Sequence, residues 1–150
     1  MTWKSALGIQ VDRALDAHTG TGTPGDRYFQ VVGGICLITG MVGYVSTATT
    51  SAPTNCFFRH DPDAVAGVTT DLCASTDLDT AVAGSLLTWN GLAAGLIVTL
   101  NTSVAPMFTC KSIVVTEGYI GFVSGGATGT TRWTLWYVPI EAGAYIVAIP

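Results

Sequence analysis

The sequence predicts an all-β fold, an antiparallel β-sandwich of the jelly-roll type, from three observations. The composition favours strands, because the helix-forming residues Lys, Glu, Gln and Arg are scarce while Val, Ile, Thr, Tyr and Trp are plentiful. From Tyr28 onward, short apolar runs alternate with turn signals. The 150 residues fit one domain of roughly eight or nine short strands, as in sandwiches and jelly rolls.

The first 26 residues are predicted to form an N-terminal arm and loop ahead of a β-sandwich domain at residues 27–150. Four apolar residues are spaced four positions apart at the start: Trp3, Leu7, Val11 and Leu15. This spacing indicates either a short helix with one apolar stripe or an extended arm lying across a neighbouring subunit. Within the following loop, Gly20–Gly25 has the spacing G-x-G-x-x-G, but a dinucleotide site needs a strand before it and a helix after it.

Strands are predicted wherever an apolar run is bounded by turn residues. They are Tyr28–Val32, Ile35–Val45, Cys56–Arg59, Ser85–Trp89, Leu92–Leu100, Lys111–Val115, Tyr119–Val123, Arg132–Val138 and Ala144–Ile149. The pair Asn90-Gly91 is the strongest hairpin signal, because both positions of the tight turn need a positive φ. The most polar stretch, His60–Thr80, is expected to be a long excursion over the surface.

Charge and hydropathy exclude two kinds of partner. The net charge is −4 and the six basic residues are dispersed, so no basic stripe is present to bind nucleic acid. The mean hydropathy of +0.48 raises the question of a membrane span. A spanning helix needs about 20 predominantly apolar residues. Glycines interrupt the longest run, Val31–Val45, and we therefore expect no membrane segment.

The N-terminus and the cysteines indicate where the chain is made. The start lacks an apolar signal region and carries Asp12 and Asp16 early, so we expect synthesis in the cytoplasm. The four cysteines, Cys36, Cys56, Cys73 and Cys110, are far apart in the sequence. In a reducing compartment such residues are typically buried thiols, and disulfides are the alternative.

Candidate catalytic and metal-binding residues are few. The histidines are His18 and His60, both in predicted loops, and neither G-x-S-x-G nor H-E-x-x-H occurs. A Cys56–His60 pair is the best nucleophile candidate, but it matches no motif. The acidic clusters His60–Asp63 and Asp77–Asp79 lack the glycine and closing glutamate of a calcium loop. We therefore expect no enzyme, no metal site and no cofactor.

The closing strands are apolar on both faces, which predicts a constitutive partner. Residues in a strand alternate between faces, so Trp133, Leu135 and Tyr137 are assigned to the core. Arg132 and Trp136 then point outward. Antiparallel strands apolar on both sides are either central in a thick core or covered by another chain. We expect a protein partner, and a monomer with a large core is the alternative. The predicted interface residues are Trp3, Arg132, Trp136 and Tyr145.

The ending RWTLWYVPIEAGAYIVA, at residues 132–148, resembles the C-terminal region of small virion proteins of tailed bacteriophages. In that region a Trp-rich strand leads through a Pro-x-x-x-Gly-Ala turn into a final apolar strand. The charge-poor body, rich in Thr, Gly and Ala, is similar in character to capsid cement (decoration) proteins.

The resemblance implies a jelly-roll or related sandwich subunit on the exterior of the virion. Such a subunit binds the major capsid protein of the assembled shell and forms homodimers or homotrimers. No catalytic residues come with the resemblance. Two alternatives are a structural tail, fibre or neck domain, and a carbohydrate-binding domain that stacks sugars on exposed Trp89, Trp136 or Tyr145.

Overall fold

The structure is a computed structural model that describes residues 7–17, 26–49, 55–63, 68–89, 97–99, 112–126 and 129–150. These residues form eleven strands. The strands are β1 (Ile9–Ala17), β2 (Asp26–Val32), β3 (Cys36–Thr47), β4 (Phe57–Pro62), β5 (Thr70–Asp71), β6 (Leu86–Thr88), β7 (Ile97–Thr99), β8 (Ile113–Val115), β9 (Gly118–Val123), β10 (Thr130–Pro139) and β11 (Tyr145–Ala148).

The strands form two antiparallel sheets, as the all-β prediction requires. Sheet A has the order β1-β10-β3-β6-β7, and β8 also pairs with β3. One edge of β3 is occupied by β10, so β6 and β8 share its other edge, at Val42–Tyr44 and Cys36–Ile38 respectively. Sheet B has the order β11-β2-β9-β4-β5. Within the described part of the chain, no helix has the length and apolar character needed to cross a membrane.

The core lies between the sheets and is centred on aromatic rings. Sheet B contributes Tyr28, Phe58 and Phe122, and sheet A contributes Trp133. The Trp133 ring centroid lies 4.7 Å from that of Phe58, edge to face, and 5.7 Å from that of Phe122. These contacts cross from one sheet to the other, so the sheets pack face to face as a sandwich. The assignment of Trp133, Leu135 and Tyr137 to the core is confirmed.

The helical alternative for the N-terminal segment is not seen among the described residues, because Ile9–Ala17 is strand β1. This strand pairs with β10 over several residues, beginning with Ile9 opposite Tyr137. A spacing of four is an even number, so it places apolar residues on one face of a strand as well as on one face of a helix. Pairing with β10 decides between the two. The predicted interface residue Trp3 and the Gly20–Gly25 motif lie outside the described residues.

Strand β3 contains a bulge, which interrupts the alternation of its side chains. Trp136 pairs with Gly40 but Tyr137 pairs with Ile38, so Thr39 is an extra residue. A bulge of one residue reverses which parity faces the core. Cys36 and Ile38 are buried before it, and Met41 is buried after it. Strict alternation along the strand would place Met41 on the opposite face from those two.

The polar stretch His60–Thr80 is not only a surface excursion. Leu72, Cys73 and Leu78 are buried, and Trp89 Nε1 donates to the Leu72 carbonyl at 2.9 Å. These apolar residues anchor the stretch against sheet B, since the Leu72 N–H also donates to the Phe58 carbonyl at 2.7 Å.

The predicted hairpin after β6 has a longer connection than a tight turn. β6 and β7 are antiparallel neighbours, and Thr88 pairs with Ile97. A two-residue turn at Asn90-Gly91 would instead bring Trp89 opposite Leu92. The Asn90-Gly91 pair itself lies outside the described residues.

Candidate interaction surface

The structure brings two of the predicted interface residues onto one face and leaves a third on another. Arg132 and Trp136 lie on β10 with the parity that points away from the core. Tyr145 lies on β11 in the other sheet and is 45% exposed. Its neighbour Ile146 is buried, so Tyr145 points outward from sheet B. The outer face of sheet A is therefore the surface that the sequence prediction identifies best.

An open groove of about 890 Å³ lies on the outer face of sheet A. We call it the sheet A groove. It forms because paired residues in an antiparallel sheet share a face. Asp12 pairs with Thr134, while Tyr44 lies between Arg132 and Leu86 in the neighbouring strands. The lining residues are Asp12, Arg13, Val42, Tyr44, Leu86, Arg132, Trp133 and Thr134.

Asp12 is held in place by two hydrogen bonds in the groove. The hydroxyl of Thr134 donates to one carboxylate oxygen at 2.6 Å, and the side-chain amide of Gln10 donates to the other at 2.8 Å. All three side chains are on the outward parity of β1 and β10. A carboxylate has about four lone-pair positions, so each oxygen retains capacity for a further donor.

The arginines share one arrangement, because all four in the sequence lie over aromatic rings. The pairs are Arg13 on Tyr28, Arg27 on Tyr119, Arg59 on Phe57 and Arg132 on Tyr44. Such stacking orders the guanidinium while its N–H groups stay available at the edge.

Arg132 differs from the two arginines on the outer face of sheet B. Arg27 is 3.7 Å from the Asp61 carboxylate, and Arg59 is 2.8 Å from that of Asp71. Arg132 lies 4.6 Å from the Tyr44 ring centroid. Within the described part of the chain it has no carboxylate at ion-pair distance. The groove therefore presents an ordered guanidinium with open donor positions.

The expected exposure of Trp136 is wrong, since its side chain is only 8% exposed. Alternation gives the direction of a side chain but not what packs over it. The Nε1 of Trp136 is buried, and no described residue accepts its hydrogen bond. Trp89 is also buried, at 1% exposure. Of the three aromatic residues expected to stack sugars, only Tyr145 is exposed.

A row of apolar side chains crosses the same face at the other end of β10. Val138 pairs with Leu37, and Leu37 pairs with Val114. Val138 is 41% exposed and Val114 is 57% exposed. Ile140, two residues beyond Val138, is 54% exposed. We call Val114, Leu37, Val138 and Ile140 the Val138 row. Val114, Leu37 and Val138 are contiguous because their strands are hydrogen-bonded neighbours, and Ile140 lies just beyond the end of β10.

The candidate Cys56–His60 pair is not assembled for catalysis. Cys56 Sγ donates to Ser124 Oγ at 3.7 Å, and burial raises the pKa of this thiol to about 11. His60 Nε2 lies 3.0 Å from the Thr116 carbonyl. Burial also raises the pKa of the Cys73 thiol to about 11. A thiol with so high a pKa is a poor nucleophile at neutral pH.

The prediction of buried thiols is confirmed for three of the four cysteines. Cys36, Cys56 and Cys73 are buried, and none forms a disulfide within the described residues. Cys110 and His18 lie outside them.

The acidic clusters are engaged in local contacts. Asp61 faces Arg27, and Asp77 accepts a hydrogen bond from the Asn55 N–H at 3.0 Å. Across the described ranges, no group of three His, Cys, Asp or Glu side chains is placed to hold a metal ion.

His60 is expected to make the stability of the fold depend on pH. Burial lowers its pKa from the ordinary value of 6.5, although the hydrogen bond to the Thr116 carbonyl and the charges of Asp61 and Asp63 partly oppose this. Below pH 6.5 the unfolded chain therefore binds more protons than the folded chain, and stability falls with decreasing pH. The full contribution is present above pH 6.5. Unfolding by urea at several pH values measures this slope.

His60→Gln is the matched variant for that measurement, because its amide N–H can still donate to the Thr116 carbonyl. We expect the variant to have a flatter stability profile than the natural chain between pH 5 and pH 7, a window chosen around about 6.5. Parallel profiles for the two proteins would contradict the assignment.

Comparison with known proteins gives no family assignment. No family model matches the chain, and no curated protein or solved structure matches it.

Proposed function

We propose that this chain is a structural virion protein that binds the outer surface of an assembled bacteriophage capsid and stabilises the shell. The observation that carries the proposal is the Val138 row. This apolar stripe includes part of residues 132–148, the region that resembles small phage virion proteins. In an isolated monomer these side chains would face water at an unfavourable cost of about 25 cal/mol for each Å² of apolar surface. The major capsid protein is the partner that covers them in this proposal.

The strand order supports the finer proposal that the sandwich is a jelly roll. The first four strands alternate between the sheets, since β1 and β3 lie in sheet A while β2 and β4 lie in sheet B. The returning strands insert between them. β9 lies between β2 and β4, and β10 lies between β1 and β3. This interleaving is what two wound Greek keys produce.

Stabilisation by such a protein needs no chemistry. A subunit that binds only the assembled shell favours that state by about 2.7 kcal/mol per site when its free concentration is about a hundred times Kd. A homo-oligomer that contacts more than one shell subunit also gains from effective concentration, so modest contacts at each end suffice.

The test is binding of variants to shells assembled without this protein. We expect Val138→Asp to lower the affinity for shells by about tenfold or more, because a carboxylate would be buried unpaired. Val147→Asp is the control. Val147 is similarly exposed, at 38%, but lies on the outer face of sheet B. Co-sedimentation with shells measures both, after thermal unfolding has shown that each variant is folded.

Two outcomes would overturn the proposal. One is failure of the natural chain to sediment with shells. The other is equal binding by the folded Val138→Asp variant and the natural chain. Loss of binding by Val147→Asp alone would likewise assign the contact to sheet B and contradict the role of the Val138 row.

A further inference from the structure

We propose that the sheet A groove binds a second copy of this chain about a twofold axis, with Arg132 of each copy against Asp12 of the other. The inference rests on the homo-oligomer part of the proposed function and locates its contact. It concerns a different surface from the Val138 row, so each surface can be tested without the other.

Charge complementarity identifies the occupant. The groove carries an ordered carboxylate, Asp12, and an ordered guanidinium, Arg132, while its other charged lining residue, Arg13, is only 7% exposed and stacks on Tyr28. A twofold interface uses the same patch on both copies, so the patch must complement itself. A partner of uniform charge would attract one of these groups and repel the other. A second copy presents the opposite charge to both.

The geometry of the sheet allows both contacts at once. Asp12 pairs with Thr134, which is two residues along β10 from Arg132. The two charged side chains therefore emerge roughly 7–8 Å apart, as diagonal neighbours on one face. A twofold axis can lie in the plane of the interface, midway between the two side chains and perpendicular to the line joining them. This axis places Arg132 of each copy opposite Asp12 of the other.

Both groups are held in position before binding. Arg132 is stacked on Tyr44, and Asp12 accepts bonds from Thr134 and Gln10. Ordered side chains lose less conformational freedom on association. Val42 and Leu86 add apolar surface on the same face. An apolar centre containing aromatic and arginine side chains is the usual composition of a protein interface.

Sedimentation velocity on the purified chain, with no shell present, tests the inference through a charge exchange. We expect the natural chain to form dimers, and Arg132→Asp and Asp12→Arg each to weaken the dimer by about tenfold or more, because like charges then meet. Mixing the two variants in equal amounts restores the dimer. In the mixed dimer the two substituted side chains face each other with opposite charges, and the two natural ones, Arg132 and Asp12, do the same. Misfolded variants would not recover on mixing.

Arg27→Asp is the matched control, because Arg27 also stacks on a tyrosine but lies on sheet B. It leaves the dimer unchanged. A natural chain that is monomeric or trimeric, a dimer that Arg132→Asp does not weaken, or variants that fail to recover on mixing would each overturn the inference. Dimers that form normally but do not bind shells would contradict the proposed function and leave this inference standing.

Discussion

Replacing Trp133 with alanine is expected to lower the free energy of unfolding by about 3–5 kcal/mol. Its indole is 1% exposed and packs against Phe58 and Phe122, so truncation leaves a large cavity where the two sheets meet. It also removes the 3.0 Å hydrogen bond that Nε1 donates to the hydroxyl of Thr131, which is fully buried. Chemical unfolding followed by circular dichroism measures the loss.

Two further variants keep this prediction informative. Trp133→Phe retains a ring, so we expect a smaller loss that leaves the chain folded even where alanine does not. Val138→Ala, on the same strand but 41% exposed, is expected to change stability by about 0.5 kcal/mol or less. Equal losses for Trp133→Ala and Val138→Ala would contradict the location of the core.

Replacing Gly43 with alanine is expected to cost about 2–3 kcal/mol, although it adds only one methyl group. Gly43 pairs with Trp133, and a Cβ at this position would lie 2.7 Å from two atoms of the indole ring. The ring is 1% exposed and packs against Phe58 and Phe122, so it cannot shift without disturbing those contacts. Thermal or urea unfolding of Gly43→Ala measures the cost.

A double-mutant cycle separates this steric cause from a general loss of a glycine. In a Trp133→Phe background the smaller ring makes room, so Gly43→Ala is expected to cost at least about 1 kcal/mol less than in the natural chain. Gly143→Ala is the control. A Cβ there meets nothing within 4 Å, and its cost comes from a φ of +87°. Additive effects of Gly43→Ala and Trp133→Phe would contradict the contact.

The strands from β2 onward, apart from the two-residue β5, could be predicted from the sequence because each apolar run is closed by a turn signal. The core face of β10 could also be predicted, since the strand is regular from Thr131 to Trp136 and alternation holds there. Alternation is interrupted in β3, where the bulge at Thr39 depends on pairing with β10. The sequence does not distinguish strand β1 from a helix, because an apolar spacing of four fits both.

The candidate surface could be predicted only in part. The outward direction of Arg132 can be predicted from alternation along one strand. The sheet A groove can be located only from the register of four strands. Asp12 and Tyr44 come from distant parts of the sequence, and no local pattern brings them beside Arg132. The burial of Trp136 likewise depends on what packs over β10. Long-range pairing, rather than composition, determines these contacts.

In the proposed function, the two surfaces on sheet A make two different contacts. The Val138 row is apolar and suits a shell subunit that covers it permanently. The sheet A groove carries opposite charges and suits a second copy. They lie at different positions along β10, so one subunit can use both at the same time.

A cryo-EM reconstruction of the virus particle encoded with this chain tests the central claim most directly. We predict two-sheet density on the outer surface of the shell, with the Val138 row against the major capsid protein. The subunits should be paired through the sheet A groove. Density confined to the tail, no density on the shell, or a Val138 row that faces solvent in the bound subunit would contradict the proposed function.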